Sequence, residues 1–317
     1  MRPPALVAHA DWSANPEKRW CCVAVRDRRD IYRVEAPVPV GPLGDFFAAL
    51  RARADRRARM LVGFDFPLGL PRAYARAAGI RSFRAFLDQA GRGRFRAFYA
   101  VAESPGEIAL ERPFFPARSG RKGEFGQRQL LAGLGFKDKA GLYRTVDFGR
   151  GYRPDAAATF WTLGPKQVGK ATIAGWRDLI APALRADAAI ALWPFDGRFA
   201  DCLASAALTL VEAYPAEYYR HLDLPLVRAG SKRDPAARRR QAPAIVKWAC
   251  ANGVVLEPAL RRALQHGFGD GADGEDRFDA VVGTLGILNV VLGNRAPGEP
   301  DDPLIRRVEG WTLGQLL

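Results

Sequence analysis

The chain has 317 residues, 48% of them hydrophobic, and a formal net charge of +14. That composition excludes a disordered segment, and no apolar run approaches the roughly 18 residues that a membrane span requires. Three histidines and four cysteines, with no Cys-x-x-Cys pair, argue against a zinc site. The absence of a long apolar N-terminal core argues against a secretory leader, so a cytoplasmic protein that leaves membranes alone is expected.

In chain order, residues 5–11 (ALVAHAD) read as a strand that ends on an acid. Residues 12–18 form a turn, and residues 19–26 and 30–35 give two further strands. Adjacent Cys21 and Cys22 face opposite sides of a strand, which argues against a disulfide framework. Over residues 43–59, Leu43, Phe46, Phe47 and Leu50 recur at helical spacing with arginines on the other face. Residues 60–66 (MLVGFDF) predict a buried strand carrying Asp65, stopped by Pro67 and Pro71. Residues 72–200 are rich in Gly, Pro and aromatics and read as an insertion between core parts 1–71 and 201–317. Residues 207–214 predict a strand broken by Pro215, and 236–252 a helix with a basic start. Residues 276–293 predict an apolar helix with two acids in its first turn, and the tail from 301 closes or covers the sheet. The expected class is α/β: a mixed sheet flanked by helices, with a large insertion after the Asp65 strand.

Asp11, Asp65 and Glu212 each fall at the end of a predicted strand. In open α/β sheets ligands collect outside the carboxyl ends of strands, so the three are expected to converge. Asp276 and Asp279, three apart, share one face of a helix start. Each has a plainer reading as a turn acid or a helix-terminus charge. Asp65 sits between Phe64 and Phe66, where an unpartnered carboxylate is costly. Clustered carboxylates repel unless a cation lies between them, and hard Mg²⁺ or Mn²⁺ prefers oxygen ligands. Two such ions can stabilise the attacking and leaving oxygens of a phosphodiester. Asp11, Asp65, Glu212 and Asp279 are therefore the catalytic candidates, with Asp276 added as a metal ligand. His9 shares a strand face with Asp11 and reads as a core histidine. A serine-nucleophile elbow, a Walker A loop and a dinucleotide fingerprint are all missing.

Of 48 basic residues, 40 are Arg. Two readings stand side by side: a footprint for phosphate-rich partners, or the codon bias of a GC-rich genome. Arg51–Arg59 reads as a solvated helix face. Arg92–Arg96 (RGRFR) and Arg118–Lys122 (RSGRK) lie among Gly and aromatics and are better candidates for binding loops. Lys166 and Lys170, in the Gly-punctuated VGKATIAGW stretch, and Lys232 and Arg233, in KRDPAARRR, are candidate phosphate contacts. Helix caps and solvated helix starts are the rival readings. Asp196 in LWPFDG reads as part of a strand and turn.

Several motifs in order carry a family resemblance: HADWSANPEKRW, GFDFPLGLP at 63–71, RPFFP at 112–116, GPKQVGKATIAGW at 164–176, LWPFDG at 192–197, VEAYPAEYYRHL at 211–222, EDRFDAVVG at 275–283 and EGWTLG at 309–314. The chain resembles the bacterial family called domain of unknown function 429, described as predicted nucleases of RNase H-like fold. The resemblance implies an RNase H-like core with Asp11 as its first-strand acid. It implies a later strand acid at Asp65, where the superfamily often has Glu, and an Asp-x-x-Asp pair on the last helix at Asp276 and Asp279. Glu212 matches the family's Glu-x-Tyr-Pro motif. The leading expectation is a metal-dependent nuclease acting on nucleic acid. The alternatives are an enzyme on a small phosphorylated or nucleotide ligand in a closed pocket, and a non-catalytic nucleic-acid-binding module.

Overall fold

A computed structural model describes residues 3–54, 58–118, 125–149, 151, 154–164, 167–224 and 231–316. Among the described residues eight strands form one sheet: β1 (Leu6–Asp11), β2 (Trp20–Arg26), β3 (Tyr32–Val34), β4 (Val38–Pro39), β5 (Met60–Phe64), β6 (Ile190–Leu192), β7 (Leu208–Glu212) and β8 (Val255–Leu256). Their order is β6-β7-β5-β1-β2-β3-β8, with β4 beside β2. Strands β6, β7, β5 and β1 run parallel, and β2 runs antiparallel to β1, β3 and β4. Every residue of β1, β5 and β7 is buried, as apolar strands covered on both faces must be. The register places Ala10 opposite Phe64 and Phe64 opposite Glu212. The carboxyl ends of β1, β5 and β7 therefore lie side by side on one edge.

Alternation along β1 sends Leu6, Ala8 and Ala10 to one core and Val7 to the other. The first core is completed by aromatics from the 72–200 segment, among them Phe83, Phe98, Phe160 and Trp176. The segment is thus not a body apart from the sheet. It also supplies β6, which pairs with β7, so the sheet begins again before residue 200. The second core lies under the helix Gly274–Val291. Cys21 and Cys22 enter opposite cores, and Cys21, Cys22, Cys202 and Cys250 are all free thiols. No described helix is long and apolar enough to cross a membrane.

Small residues let that helix lie close to the sheet. A Cβ on Gly283 would stand 2.2 Å from the His9 ring, and one on Gly286 2.1 Å from the Tyr218 ring. His9 is fully buried, and burial lowers its pKa to about 3, so it packs as a neutral ring. Gly283→Ala is expected to destabilise the protein by about 1–3 kcal/mol through overpacking, because the enclosed His9 ring has no room to retreat. A denaturant midpoint equal to wild type would refute this.

Two predicted helices are shorter than their patterns. The 43–59 stretch gives a 3₁₀ turn, Leu43–Asp45, and one short helix, Phe46–Arg51. Beyond Leu50 the pattern offers no further large apolar residue to bury until β5. The 236–252 stretch divides into Pro235–Arg239 and Ala242–Ala251, because Pro243 cannot donate a helical hydrogen bond and sits in the first turn of the second helix.

Candidate functional site

The carboxyl edge of the sheet opens into a cavity of about 510 Å³. Asp11, Asp65, Glu212, Asp276, Asp279 and Lys232 all line it. Asp11 reaches it as the last residue of β1, Asp65 as the residue after β5, and Glu212 as the last of β7. Asp276 and Asp279 come from the first turns of the Gly274–Val291 helix, on the side of the sheet to which Val7 and His9 point. Part of the 72–200 segment, including Val146, Ala157 and Val168, also lines the cavity.

The five acids divide into two groups with different partners. Glu212 belongs to a satisfied ion network. Its two oxygens take both ends of the Arg144 guanidinium, at 2.6 and 2.8 Å, and also the Leu68 N–H at 2.7 Å and the Thr312 hydroxyl at 2.9 Å. Arg144 is itself buried, and all five of its N–H donors are used, on Glu212, Asp147 and the Glu309 carbonyl. Glu212 lines the cavity as expected of a metal ligand, but its two oxygens are already taken by protein donors. With four donors on two oxygens Glu212 is fully hydrogen-bonded, one guanidinium serving both it and Asp147, and it acts as a pin for the end of β7.

The aspartates are poor in donors. Among the described residues no hydrogen-bond donor reaches the Asp11 carboxylate, which is 8% exposed. Asp65 receives the Trp12 N–H at 2.8 Å. Asp276 Oδ2 is buried without a partner among the described residues. Asp279 is held by the Tyr219 hydroxyl and the Lys232 ammonium. Burial raises the pKa of Asp11 well above its ordinary value, and Asp65, Asp279 and Asp276 raise it further. Burial pushes Asp65 up to about 7 and Asp276 up to about 6, with Asp279 adding to both. Burial alone would lower Lys232, but Asp279 and Glu275, the latter at 3.0 Å, more than offset it. Four aspartates thus share the Lys232 ammonium, with Lys18 acting on Asp276 alone, and the edge is short of positive charge.

That imbalance is the test of a metal. Among the described residues, no three carboxylate, imidazole or thiol side chains are already gathered around one metal position. The donor chemistry nevertheless suits a hard cation: every candidate ligand is a carboxylate, one carboxylate has no donor and another has an orphaned oxygen. Mg²⁺ commonly takes only one or two carboxylates, with waters and substrate phosphate filling the remaining positions. Added Mg²⁺ or Mn²⁺ is therefore expected to raise the thermal midpoint of wild type, by about 2.7 kcal/mol of stabilisation at a hundred times its dissociation constant. The same titration with Asp11→Asn should give a much smaller rise, and an equal rise would refute this siting.

The predicted phosphate contacts fare differently. Lys166 lies outside the described residues. Lys170 is half-buried on the helix Gly169–Gly175 and does not line the cavity. Lys232 is in the site, but as the ion-pair partner of Asp279 and Glu275. Arg233 is exposed and sits 3.5 Å from Glu275. Asp196 accepts the Leu192 N–H and pairs with Arg84, an anchor for the end of β6. Of the Arg118–Lys122 cluster only Arg118 is among the described residues.

Sequence reasoning missed Arg144, Asp147, Tyr219 and the turn crossing that closes the site. Gly69 (φ 146°) passes so close to the tail that a Cβ would stand 1.8 Å from the Glu309 carbonyl oxygen. Gly310 (φ 70°) makes the reciprocal approach, 1.9 Å from the Leu68 carbonyl oxygen. Only glycine fits either place. The PLGLP and EGWTLG motifs are two sides of this one crossing. Arg72 reinforces it through Glu309 at 2.8 Å and Asp302 at 2.9 Å. The Arg-x-x-Asp spacing of Arg144 and Asp147 is the available signal for the ion network, but it lies in a segment without periodicity. Comparison with family models, curated proteins and solved structures finds no match to this chain.

Proposed function

We propose that this chain is a Mg²⁺- or Mn²⁺-dependent hydrolase of phosphate diesters, with Asp11, Asp65, Asp276 and Asp279 as its metal-holding set. The observation that carries the reading is the meeting of strand-end acids from β1 and β5 with the helix-borne Asp276 and Asp279 in one donor-poor cavity. The same meeting supports an RNase H-like core, since the family resemblance expects a first-strand acid opposite an Asp-x-x-Asp pair. A bound divalent ion would neutralise the aspartates and polarise a phosphoryl oxygen.

The chain's own residues prepare that site. The Trp12 N–H fixes the rotamer of Asp65. Tyr219 and Lys232 hold Asp279 toward the cavity. The Arg144 network locks the end of β7 and the tail beside it, which keeps the cavity wall in place. Among the described residues, the cations lining the cavity are Arg144 and Lys232, and both are ion-paired. The walls thus offer an anionic substrate no unpaired cation among the described residues, and a divalent ion held by the aspartates would supply that attraction.

Two substrate classes fit this chemistry. Nucleic acid is the leading one, on the basic balance of the chain and the family resemblance. A nucleotide-sized phosphodiester is favoured by a specific observation, a cavity of about 510 Å³ lined in part by the 72–200 segment, within the range of small-ligand pockets. The test is cleavage of labelled single- and double-stranded DNA and RNA, and of a small bis-aryl phosphodiester, with Mg²⁺, with Mn²⁺ and with EDTA. Metal-dependent turnover of the polymers supports the nuclease, and turnover of the small ester alone supports the second class. Tight binding of nucleic acid without turnover of anything would overturn the proposal in favour of a binding module.

A further inference from the structure

A second, smaller cavity lies on the side of the molecule built from the 72–200 segment. It measures about 270 Å³ and is lined by Arg92, Arg96, Arg177 and Arg185, with Tyr99 and the backbone of Gly91. Among the described residues no carboxylate lines it. The RGRFR sequence explains two of its arginines. Arg94 turns away onto Glu111 at 2.7 Å and stacks over Phe95. Arg92 and Arg96 have no ion-pair partner among the described residues and remain exposed. Arg177 and Arg185 come from a continuous helical run, Gly169–Gly175, Trp176–Ile180 and Ala181–Ala186, whose middle turn is a π-helix. They stand eight positions apart with Ala181 between them, so all three share one face. Arg177 pairs with its neighbour Asp178 at 2.6 Å, and Arg185 is 3.9 Å from Asp88.

The Tyr99 hydroxyl supplies an independent observation. It is buried and makes no hydrogen bond among the described residues. Its ring is held against Gly91 (φ 82°), where an added Cβ would stand 3.2 Å from it. A hydroxyl in such a place is completed by an ordered water, an ion or a ligand. Four guanidinium groups around an unused O–H donor match the oxygens of a phosphoryl group, which arginine recognises through paired N–H bonds.

We propose that this cavity is a phosphoryl-binding site, separate from the carboxylate edge, in which Arg92, Arg96, Arg177 and Arg185 surround the phosphoryl oxygens and Tyr99 donates a hydrogen bond from its hydroxyl to one of them. The helical run connects the two places. Ala171 lines the carboxylate cavity and Ala181 lines this one, about 15 Å farther along at helical rise. The source of the phosphoryl group is either a free phosphate compound or a nucleic-acid end.

The experiment is calorimetric titration of the intact protein, in EDTA and at physiological salt, with inorganic pyrophosphate and with 5′-phosphorylated and 5′-hydroxyl oligonucleotides of one sequence. Wild type should bind pyrophosphate, and Arg92→Ala/Arg96→Ala should weaken it by about tenfold or more. Tyr99→Phe should weaken it about threefold or more, with an unchanged thermal midpoint or a higher one. Asp65→Asn should bind as wild type does, which separates this site from the proposed hydrolytic one, and EDTA removes any metal-bridged binding there. A preference for the 5′-phosphorylated oligonucleotide that vanishes in Arg92→Ala/Arg96→Ala identifies a nucleic-acid end. Binding of pyrophosphate with no such preference identifies a small phosphate compound. No pyrophosphate binding by wild type at millimolar concentration, or equal binding by the folded double variant, overturns the proposal.

Discussion

In Asp65→Asn, metal-dependent cleavage is expected to fall by about 10³-fold, the loss when several kcal/mol of charge stabilisation leaves the transition state. The same substitution is expected to make the metal-free protein more stable. Burial and Asp279 raise the Asp65 carboxyl to about 7 although the Trp12 N–H favours its ionised form. The sign follows from linkage. A carboxyl whose folded pKa is raised contributes stability that is complete below its unfolded value and is lost as pH rises through its folded value. At pH 8 in EDTA, Asp65 is ionised in the folded protein and costs stability. Asparagine removes that charge and keeps an oxygen to accept the Trp12 N–H. The thermal midpoint of the variant should therefore exceed that of wild type by several degrees at pH 8. The gap should narrow toward pH 5, where wild-type Asp65 is already neutral. Comparing variant with wild type cancels the opposing titration of buried His9 and His221, both lowered to about 3 by burial. A variant that is less stable than wild type at pH 8 would refute the charge-repulsion account, and one that keeps full activity would refute the catalytic assignment.

Arg144→Met is expected to cost about 3–5 kcal/mol, a large share of the roughly 5–15 kcal/mol that holds a domain folded. The reason lies in what remains. Glu212 loses two of its four donors and Asp147 loses two from the same guanidinium, while both carboxylates stay buried. The Glu309 carbonyl loses its bond as well. Equilibrium denaturation measures the effect. Adding Glu212→Gln and Asp147→Asn should recover part of the loss, because a neutral set carries no stranded charge. Glu212→Gln alone sharpens the contrast between the two groups of acids. It should destabilise the metal-free protein, whereas Asp65→Asn stabilises it. Stabilisation by Glu212→Gln would return Glu212 to the repelling cluster.

Much of the frame is legible because it rests on local pattern. The apolar runs ending at Asp11, Asp65 and Glu212 predict three strands with acids at their ends, and β1, β5 and β7 have those ends on one edge. The acids of EDRFDAVVG predict a helix start, and the Gly274–Val291 helix carries both into the same cavity. Spacing over-reads the helix at 43–59 because it does not show where the large apolar side chains run out. The 72–200 segment reads as an insertion because its aromatics follow no period. Packed, they form the core on one face of the sheet, and residues 190–192 add a strand too short to stand out.

Strand ends and helix starts are set by neighbours along the chain, and so the residues able to face a ligand could be picked out before any packing was known. Which of those acids are free to meet a cation is a matter of packing alone. Arg144 reaches Glu212 across 68 residues, and Lys232 reaches Asp279 across 47. No local pattern encodes such pairings, because they depend on where a guanidinium or an ammonium comes to rest after the cores have packed. Like carboxylates thereby meet opposite fates: the oxygens of Glu212 are filled by protein donors, and Asp11 and Asp65 are left short of them.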